Sequence, residues 1–352
     1  MNSIPIIIPA YEPDNRMIDL IRHIRSDYDG DIIIVNDGSD ASFDTLYEQA
    51  AEYGCTILRH DTNSGKGRAL KTAFHYCLTR FPDLTGCITA DSDGQHTAED
   101  ILRCMDTLQE HPDKLILGCR NFRGADVPRK SRFGNLMTCH ACRLLCGLNI
   151  SDTQTGLRGI PAPFMQELLS VRGERFEFET RMLIASKQRY DILEFPIRAV
   201  YDSKNNHQTH FDPLRDSLRI YRIFGEVFLR FFLSSVTSCV FDLLLFHMFT
   251  QLLVTKSAAY IAISTVFARI ISSVYNYLIN SRVVFRNGSH SAGAAVKYFS
   301  LAALQMFFSA LFTTLGCRML PEIPELLVKF TVDAVLFFLS YIIQRELIFR
   351  RK

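Results

Sequence analysis

Short apolar runs and amphipathic stretches alternate along the first part of the chain. Ile4-Pro5-Ile6-Ile7-Ile8, Ile32-Ile33-Ile34-Val35, Cys55 to Leu58, Cys87-Ile88-Thr89-Ala90 and Leu115 to Gly118 read as buried strands. Between them apolar positions recur with a helical period. One such stretch runs from about Asp14 to Ser26, with Met17, Ile18, Ile21 and Ile24 on one face. Others run from Ser42 to Tyr53, from Asn63-Ser64-Gly65-Lys66-Gly67-Arg68-Ala69-Leu70 to about Thr79, and from Ala98 to Glu110. This alternation predicts a parallel, doubly wound α/β sheet. A further helix and strand follow, the strand near Leu193 to Ile197.

The pattern changes after Tyr221. From Val227 onward Phe, Leu, Val, Ile, Ala and Ser dominate, with four long apolar stretches near 228–253, 258–280, 295–317 and 326–348. Each approaches or exceeds the ~20 residues that cross a bilayer core. Helices apolar all round belong in a membrane, not on a soluble bundle. The expected division is therefore 1–222 and 223–352, with candidate membrane-interface helices at 128–147 and 211–226. Arg222 and Arg230 precede the first stretch, Arg282, Arg286 and Lys297 lie between the second and third, and Arg345, Arg350, Arg351 and Lys352 close the chain. By the positive-inside rule both termini and the α/β domain face the cytosol.

Composition adds little to this. The net charge is +2, so nothing global points to nucleic acid. The ten cysteines form no CxxC pair. Cys139, Cys142 and Cys146 fall at i, i+3, i+7, the spacing of a packed helix face, and reduced thiols are expected. The run Ile4 to Ile8 is too short for a signal peptide and is broken by prolines.

The chemistry gathers at strand ends, where such sheets bind ligands. Tyr11/Glu12, Asp37/Ser39, Gly65/Lys66 and Asp91/Asp93 each follow a strand. Gly65-Lys66-Gly67 lacks the spacing of a phosphate loop. In Ala90-Asp91-Ser92-Asp93-Gly94-Gln95-His96 the two carboxylates at i, i+2 share one side of an extended end, beside the amide of Gln95. Such oxygens suit a hard divalent cation, although an acidic turn has the same composition.

The segments Ile8 to Glu12, Val35-Asn36-Asp37-Gly38-Ser39, Asn63 to Gly67 and Ala90 to His96 together resemble family 2 glycosyltransferases of the GT-A fold. The similarity is closest to the branch that transfers a sugar to a polyprenyl phosphate, such as dolichyl-phosphate sugar synthases. The resemblance implies a Rossmann-like, mostly parallel sheet. It implies nucleotide-sugar binding by Pro9, Ala10, Tyr11, Glu12, Asp37, Gly65, Lys66, Asp91, Ser92 and Asp93. Asp91, Asp93 and Gln95 would hold Mg2+ or Mn2+. Asn36 stands where relatives often carry Asp, which bears on nucleotide preference.

Further segments extend the match. Gly118-Cys119-Arg120, with Pro128-Arg129-Lys130-Ser131-Arg132-Phe133-Gly134-Asn135, resembles the acceptor side, and Ser151-Asp152-Thr153-Gln154-Thr155-Gly156-Leu157-Arg158 resembles a segment of the catalytic pocket. Asp93, Asp91, Arg158 and Arg120 are the expected catalytic residues. Arg129, Arg132, Gln154, Arg215 and Arg219 are the expected contacts of the acceptor phosphate and lipid. Arg215, Arg219 and Arg222 make one basic face, suited to anionic headgroups or a phosphate, or simply a solvated helix. Of Glu177 and Glu179 one faces the site, and the sequence does not choose between them.

The last third holds an internal repeat. Asn276 to Arg286 aligns without gaps to Ser340 to Arg350, and Arg230-Phe231-Phe232 echoes Lys297-Tyr298-Phe299. Two tandem pairs of spans in the same orientation follow, an all-α domain of four helices. This resembles the GtrA-like membrane family. Asp242, Arg269 and Asp333 lie within spans, with an Asp242–Arg269 pair expected.

The expected activity is inverting, metal-dependent transfer of a hexose from a UDP- or GDP-hexose to an undecaprenyl- or dolichyl-like phosphate at the cytosolic membrane face. Its lipid-linked product would serve envelope or glycan modification, and a homo-oligomer is compatible with a small membrane bundle. The alternative is a translocator of the lipid-linked sugar, with the soluble domain as a binding module.

Overall fold

The structure, a computed structural model, describes residues 3–121, 129–187, 189–198, 213–253, 260–285 and 292–349. Residues 199–212, with which the candidate interface helix 211–226 begins, lie outside them, as do the side chains of Arg129, Arg215 and Arg219. The chain divides into two compact units, Met1–Ile223 and Phe224–Lys352.

The first unit is built on a seven-stranded sheet of order β3-β2-β1-β4-β6-β5-β7. Its strands are β1 (Ile6–Ala10), β2 (Ile32–Asn36), β3 (Thr56–Arg59), β4 (Gly86–Thr89), β5 (Leu115–Arg120), β6 (Arg158–Pro161) and β7 (Ile192–Ile197). Strands β1, β2, β3 and β4 pair in parallel, as do β5 and β7. A wholly parallel sheet is not what forms, because β6 runs antiparallel to both β4 and β5. Only Ile160 in Arg158-Gly159-Ile160-Pro161 is a large apolar residue, so no apolar run marks the strand. It forms because the open edges of β4 and β5 supply its hydrogen bonds, a tertiary effect that outweighs local preference.

Helices α1 (Asn15–Arg25), α2 (Asp44–Glu52), α3 (Lys66–Arg80) and α4 (Ala98–Glu110) link the parallel strands. Asp14 caps α1 by accepting from the Arg16 amide, and Thr97 caps α4 by accepting from the Asp100 amide. The buried face of α1 carries Met17, Ile18, Leu20, Ile21 and Ile24. These pack with Ile6, Ile8, Ile32, Ile34 and Ile88 of the sheet into the main core. Helix α5 (Arg129–Ala141) continues as a π-helical turn, Cys142–Cys146, and stops at Gly147 in the left-handed conformation (φ 68°). Cys142 and Cys146 are buried, as packing predicts. Two shorter helices, α6 (Ala162–Leu168) and α7 (Glu177–Ser186), complete the unit.

The remaining helices are α8 (Pro213–Leu253), α9 (Tyr260–Ile279), α10 (Ala292–Met319) and α11 (Glu325–Ile343). Among the described residues, Phe228–Leu253 and Gly293–Gly316 are long and apolar enough to cross a membrane. Helices α9 and α11 each end in a π-helical turn, Asn280–Val284 and Gln344–Ile348, at equivalent positions of the sequence repeat. The Asp242–Arg269 pair forms, at 3.6 Å.

Candidate active site

The carboxyl ends of β1, β2 and β4 open onto a cleft of about 310 Å³. Its first wall follows β1. Glu12 has φ 48°, in the left-handed region that non-glycine residues avoid. Its amide donates to Ser39 Oγ at 2.8 Å, and that hydroxyl lies 2.8 Å from Tyr47 Oη. Tyr47 in turn reaches the Ala10 carbonyl at 3.3 Å. The loop after β2 thus holds the strained loop after β1. Asn36 supports the same loop: buried, it accepts from the Ser39 amide through Oδ1 at 2.8 Å. Its position in the sheet gives it a structural task.

Asp37 is buried at the cleft wall. Its Oδ1 accepts from the Ser64 amide at 3.0 Å and lies 2.7 Å from His60 Nδ1, while Oδ2 accepts from the Gly65 amide at 2.7 Å. The loop before α3 is therefore tied to β2. Gly65 has φ 101°, and a side chain there would strike the backbone of Glu174. It positions the next residue without lining the cleft.

That residue is Lys66. Its Nζ lies 2.7 Å from Asp91 Oδ1 and 3.0 Å from Glu179 Oε1. Burial alone would lower its pKa, but the charges of Asp91 and Glu179 push it above the ordinary lysine value. Burial alone would likewise raise Asp91, yet Lys66 and then His96, 3.5 Å away, hold its carboxyl well below the usual carboxylate range. Asp93 is shifted the other way. Burial and then the negative charge of Asp91 raise its pKa, even though it accepts from the Gln95 amide at 3.0 Å. Gln95 also donates its side-chain Nε2 to Asp93 Oδ2 at 2.8 Å, so here it orients a carboxylate by donating to it.

Strand β6 carries a second set of groups to this floor. Thr89 on β4 donates to the Gly156 carbonyl at 2.8 Å, which sets Gly156 directly against the Asp91 carboxylate. Asp152 is fully buried and accepts from Arg120 Nε at 2.7 Å and Nη2 at 3.0 Å, fixing that guanidinium at the cleft. Arg158 goes elsewhere. It is 1% exposed and donates to the carbonyls of Thr155 (2.9 Å) and Glu179 (2.8 Å). Arg158, expected among the catalytic residues, is here a buried brace for α7, because β6 points the side chain into the core.

Pro9, Ala10, Tyr11, Glu12, Asp37, Lys66, Asp91, Ser92, Asp93, Gln95, Arg120 and Gln154 all line the cleft. Gly65 and Arg158 do not, and Arg132 is exposed on α5. Between the two candidate glutamates, Glu179 lines the cleft. Glu177, at the first position of α7, accepts from the amides of Glu174 (3.1 Å) and Arg175 (3.4 Å). Asp14, Arg16, Ala69 and Thr180 are cleft residues that the motifs did not single out. Asp14 and Arg16 sit at the start of α1, where their capping chemistry masks a second role.

Comparison with known proteins agrees with this geometry. Residues 6–169 match the family model Glycosyl transferase family 2, and residues 230–349 match GtrA/DPMS, transmembrane domain. A UDP-N-acetylglucosamine–dolichyl-phosphate N-acetylglucosaminyltransferase of Methanococcus voltae is 26% identical over 217 residues, covering 56% of this chain and 85% of the relative. A dolichyl-phosphate hexose transferase of Haloferax volcanii is 25% identical over 199 residues, covering 56% and 82%. Among solved structures, glucosyl-3-phosphoglycerate synthase of Mycobacterium tuberculosis with Mn2+, UDP and glucosyl-3-phosphoglycerate aligns with TM-score 0.46 at 15% identity, covering 63% of this chain and 76% of that one. The chain thus joins a family 2 glycosyltransferase domain to a GtrA/DPMS transmembrane domain, and it is a membrane-bound glycosyltransferase.

Proposed function

We propose that this glycosyltransferase moves a sugar from a nucleoside diphosphate sugar to a polyprenyl phosphate at the cytosolic membrane face, with inversion at the anomeric carbon. The observation that carries the reading is the Asp91/Asp93 pair on the floor of a strand-end cleft, in a chain whose second unit is a transmembrane domain. Names of both relatives above specify dolichyl phosphate, which supports a polyprenyl phosphate as acceptor.

Pro9, Ala10, Tyr11, Glu12 and Asp37 are the wall for base and ribose. The floor has the donor set of a Mg2+ or Mn2+ site. Two carboxylates stand close enough for Asp91 to raise the pKa of Asp93, a repulsion that a cation relieves. Among the described residues no group of three His, Cys, Asp or Glu converges, which leaves coordination positions to phosphate oxygens and water. When bound, such an ion supplies charge stabilisation for the departing diphosphate. Arg120, held by Asp152, adds a planar donor for phosphate oxygens. Lys66 sits where it balances Asp91 before substrate arrives.

The acceptor needs little activation. The second ionisation of a phosphate monoester falls near pH ~6, so at neutral pH the lipid phosphate is already a nucleophile and no strong base is required. The lipid itself has a surface to follow. Helix α5 exposes Phe133, Leu136 and Met137 while burying Asn135 and Thr138, the arrangement of a helix lying in a membrane interface. The basic residues flanking the apolar helices support a cytosolic catalytic unit and cytosolic termini.

The test uses the purified full chain in detergent with Mg2+ or Mn2+, a short-chain polyprenyl phosphate and a panel of nucleotide-sugars, and weighs the lipid product. A sugar-phosphate lipid and released nucleoside diphosphate are expected, and Asp93→Ala abolishes both. Full transfer by Asp93→Ala would overturn the floor assignment. No product from any donor would overturn the reaction, and detergent, which has no second leaflet, separates transfer from translocation.

A further inference from the structure

Helix α7 supplies a part of the cleft wall that the metal floor and the nucleoside wall do not use. Phe176 precedes the helix, and Glu179 and Thr180 lie in its first turn. Glu179 is 6% exposed and is held from two sides. Arg158 donates to its carbonyl at 2.8 Å, and Nη2 of the same guanidinium stands 3.9 Å from Oε1. Lys66 Nζ lies 3.0 Å from that oxygen and 2.7 Å from Asp91. Both cations thus address Oε1. Among the described residues none donates a hydrogen bond to Oε2. A carboxylate this deeply buried is costly when one of its oxygens goes without a donor, and the space that Glu179 lines is the cleft.

The chemistry of this wall selects its occupant. An ionised carboxylate only accepts, so its partner must be a donor. Phosphate oxygens are acceptors and would be repelled, whereas sugar hydroxyls donate. Phe176 adds an aromatic face, with its ring centroid 6.0 Å from Lys66 Nζ. Aromatic carbon next to a few fixed polar groups is the usual lining of a small-molecule pocket, and a pyranose presents both C–H bonds and hydroxyls to it. Position agrees with chemistry. In the donor proposed above, base and ribose follow the ends of β1 and β2, and the diphosphate lies on the floor after β4. The sugar is joined to the second phosphate through its anomeric oxygen, so its ring begins next to that floor. Glu179 shares one lysine ammonium with Asp91, which sets it there too.

We propose that Glu179 is a sugar-specificity residue: its Oε2 accepts a hydrogen bond from a ring hydroxyl of the donor's hexose, and Phe176 packs against the ring. Oε1 meanwhile keeps Lys66 at the floor, so one side chain serves the sugar with one oxygen and the phosphate side with the other. The inference rests on a nucleotide-sugar as donor and is independent of which lipid accepts the sugar. It gives buried Arg158 a purpose as well, since the brace on α7 holds the carboxylate in place.

The test is titration calorimetry on the full chain in detergent with Mg2+ and no lipid acceptor. The ligands are UDP, GDP, UDP-glucose, UDP-N-acetylglucosamine and GDP-mannose, then the deoxyfluoro analogues of whichever sugar donor binds tightest. Fluorine in place of a hydroxyl removes the hydrogen that Glu179 would accept. Glu179→Gln should weaken binding of that donor about tenfold to 100-fold, the range for a hydrogen bond to a charged group, and leave its nucleoside diphosphate within twofold. At least one deoxyfluoro analogue should lose as much in wild type, and for that analogue variant and wild type should agree within twofold. Glu179→Asp keeps the charge facing Lys66 and Arg158 but withdraws it by one methylene, so it supplies the second measurement if the glutamine variant fails to fold, with the same loss expected. Equal weakening of the diphosphate and the sugar donor would overturn the proposal, because Glu179 would then act only through Lys66. So would a wild type indifferent to every fluorine replacement. A wild type that binds none of the sugar donors would overturn the donor reading and this inference with it, whereas donor binding without lipid product would count against the acceptor alone.

Discussion

Replacing Gly156 by alanine tests the floor of the cleft with one methyl group. A Cβ at this position would lie 2.5 Å from both Cγ and Oδ1 of Asp91, with Oδ2 closer still. Ordinary carbon contacts settle near ~3.5 Å, so the carboxylate must move by roughly 1 Å. Two routes are open to it, and each breaks something. Rotation of Asp91 gives up the 2.7 Å pair with Lys66. Retreat of Gly156 pulls on the 2.8 Å bond from Thr89 and on the β4–β6 register, in which Thr89 faces Arg158. Overpacking of this kind costs about 1–3 kcal/mol of stability. A misplacement of ~1 Å at reacting groups costs on the order of 100-fold in rate, equivalent to about 2.7 kcal/mol of barrier. The expected Gly156→Ala protein is folded but melts a few degrees lower. Its transfer rate falls about 100-fold, and saturation requires more Mn2+. The assay is lipid-product formation across a Mn2+ titration, with thermal melting alongside. Wild-type rate and unchanged Mn2+ dependence would refute the reasoning, because Asp91 would then tolerate the displacement this packing requires.

Two further predictions concern the walls and the charges. Ser39→Ala removes the acceptor that holds the Glu12 amide at φ 48°, so KM for the nucleotide-sugar should rise about tenfold with kcat nearly unchanged. Ser39→Thr should recover most of it, and a KM within twofold of wild type for the alanine variant would refute the role. Asp93 has a raised folded pKa, so the folded protein binds this proton more tightly than the unfolded chain does. Without divalent ions, stability should fall as pH rises from about 4 through that folded value. Asp91, whose pKa is lowered, acts below about pH 4, where stability is lost as pH falls. Melting curves in EDTA should show the Asp93-linked loss flattened in Asp93→Asn, and Mn2+ should raise the melting temperature of wild type alone. An identical pH profile for variant and wild type would count against this assignment.

Strands β1 and β2 were readable because they are apolar runs buried on both faces. Ile6–Ala10 and Ile32–Asn36 are buried at every position. The polar clusters ending those strands gave most of the cleft lining for the same reason: topology puts them on one edge. What could not be read depends on partners distant in sequence. Strand β6 exists only between β4 and β5, and with it go the burial of Arg158 and the closeness of Gly156 to Asp91. The choice of Glu179 over Glu177 rests on where α7 begins. A residue two places on turns about 200° around a helix, so one carboxylate accepts from the loop amides before the helix while the other reaches Lys66. Asn36 looked like a nucleotide-selective departure, yet its burial and its bond to the Ser39 amide make it part of the scaffold.

The antiparallel insertion of β6 also governs when the site comes into being during synthesis. Strands β1, β2 and β4 can pair once the chain has passed Thr89, since β1 joins them directly. Asp91 then lacks the wall at Gly156, Arg120 lacks Asp152, and Lys66 lacks Glu179. All three arrive together, with the segment from Asp152 to Glu179, which threads back between strands made earlier. A nascent chain therefore carries a sheet before it carries a working cleft. The last missing group emerges from the ribosome ahead of Phe228, where the first apolar segment capable of crossing a membrane begins. Domains fold largely as units in the order they are made. The order of the segments thus makes the cleft complete before the first such segment among the described residues has been synthesised.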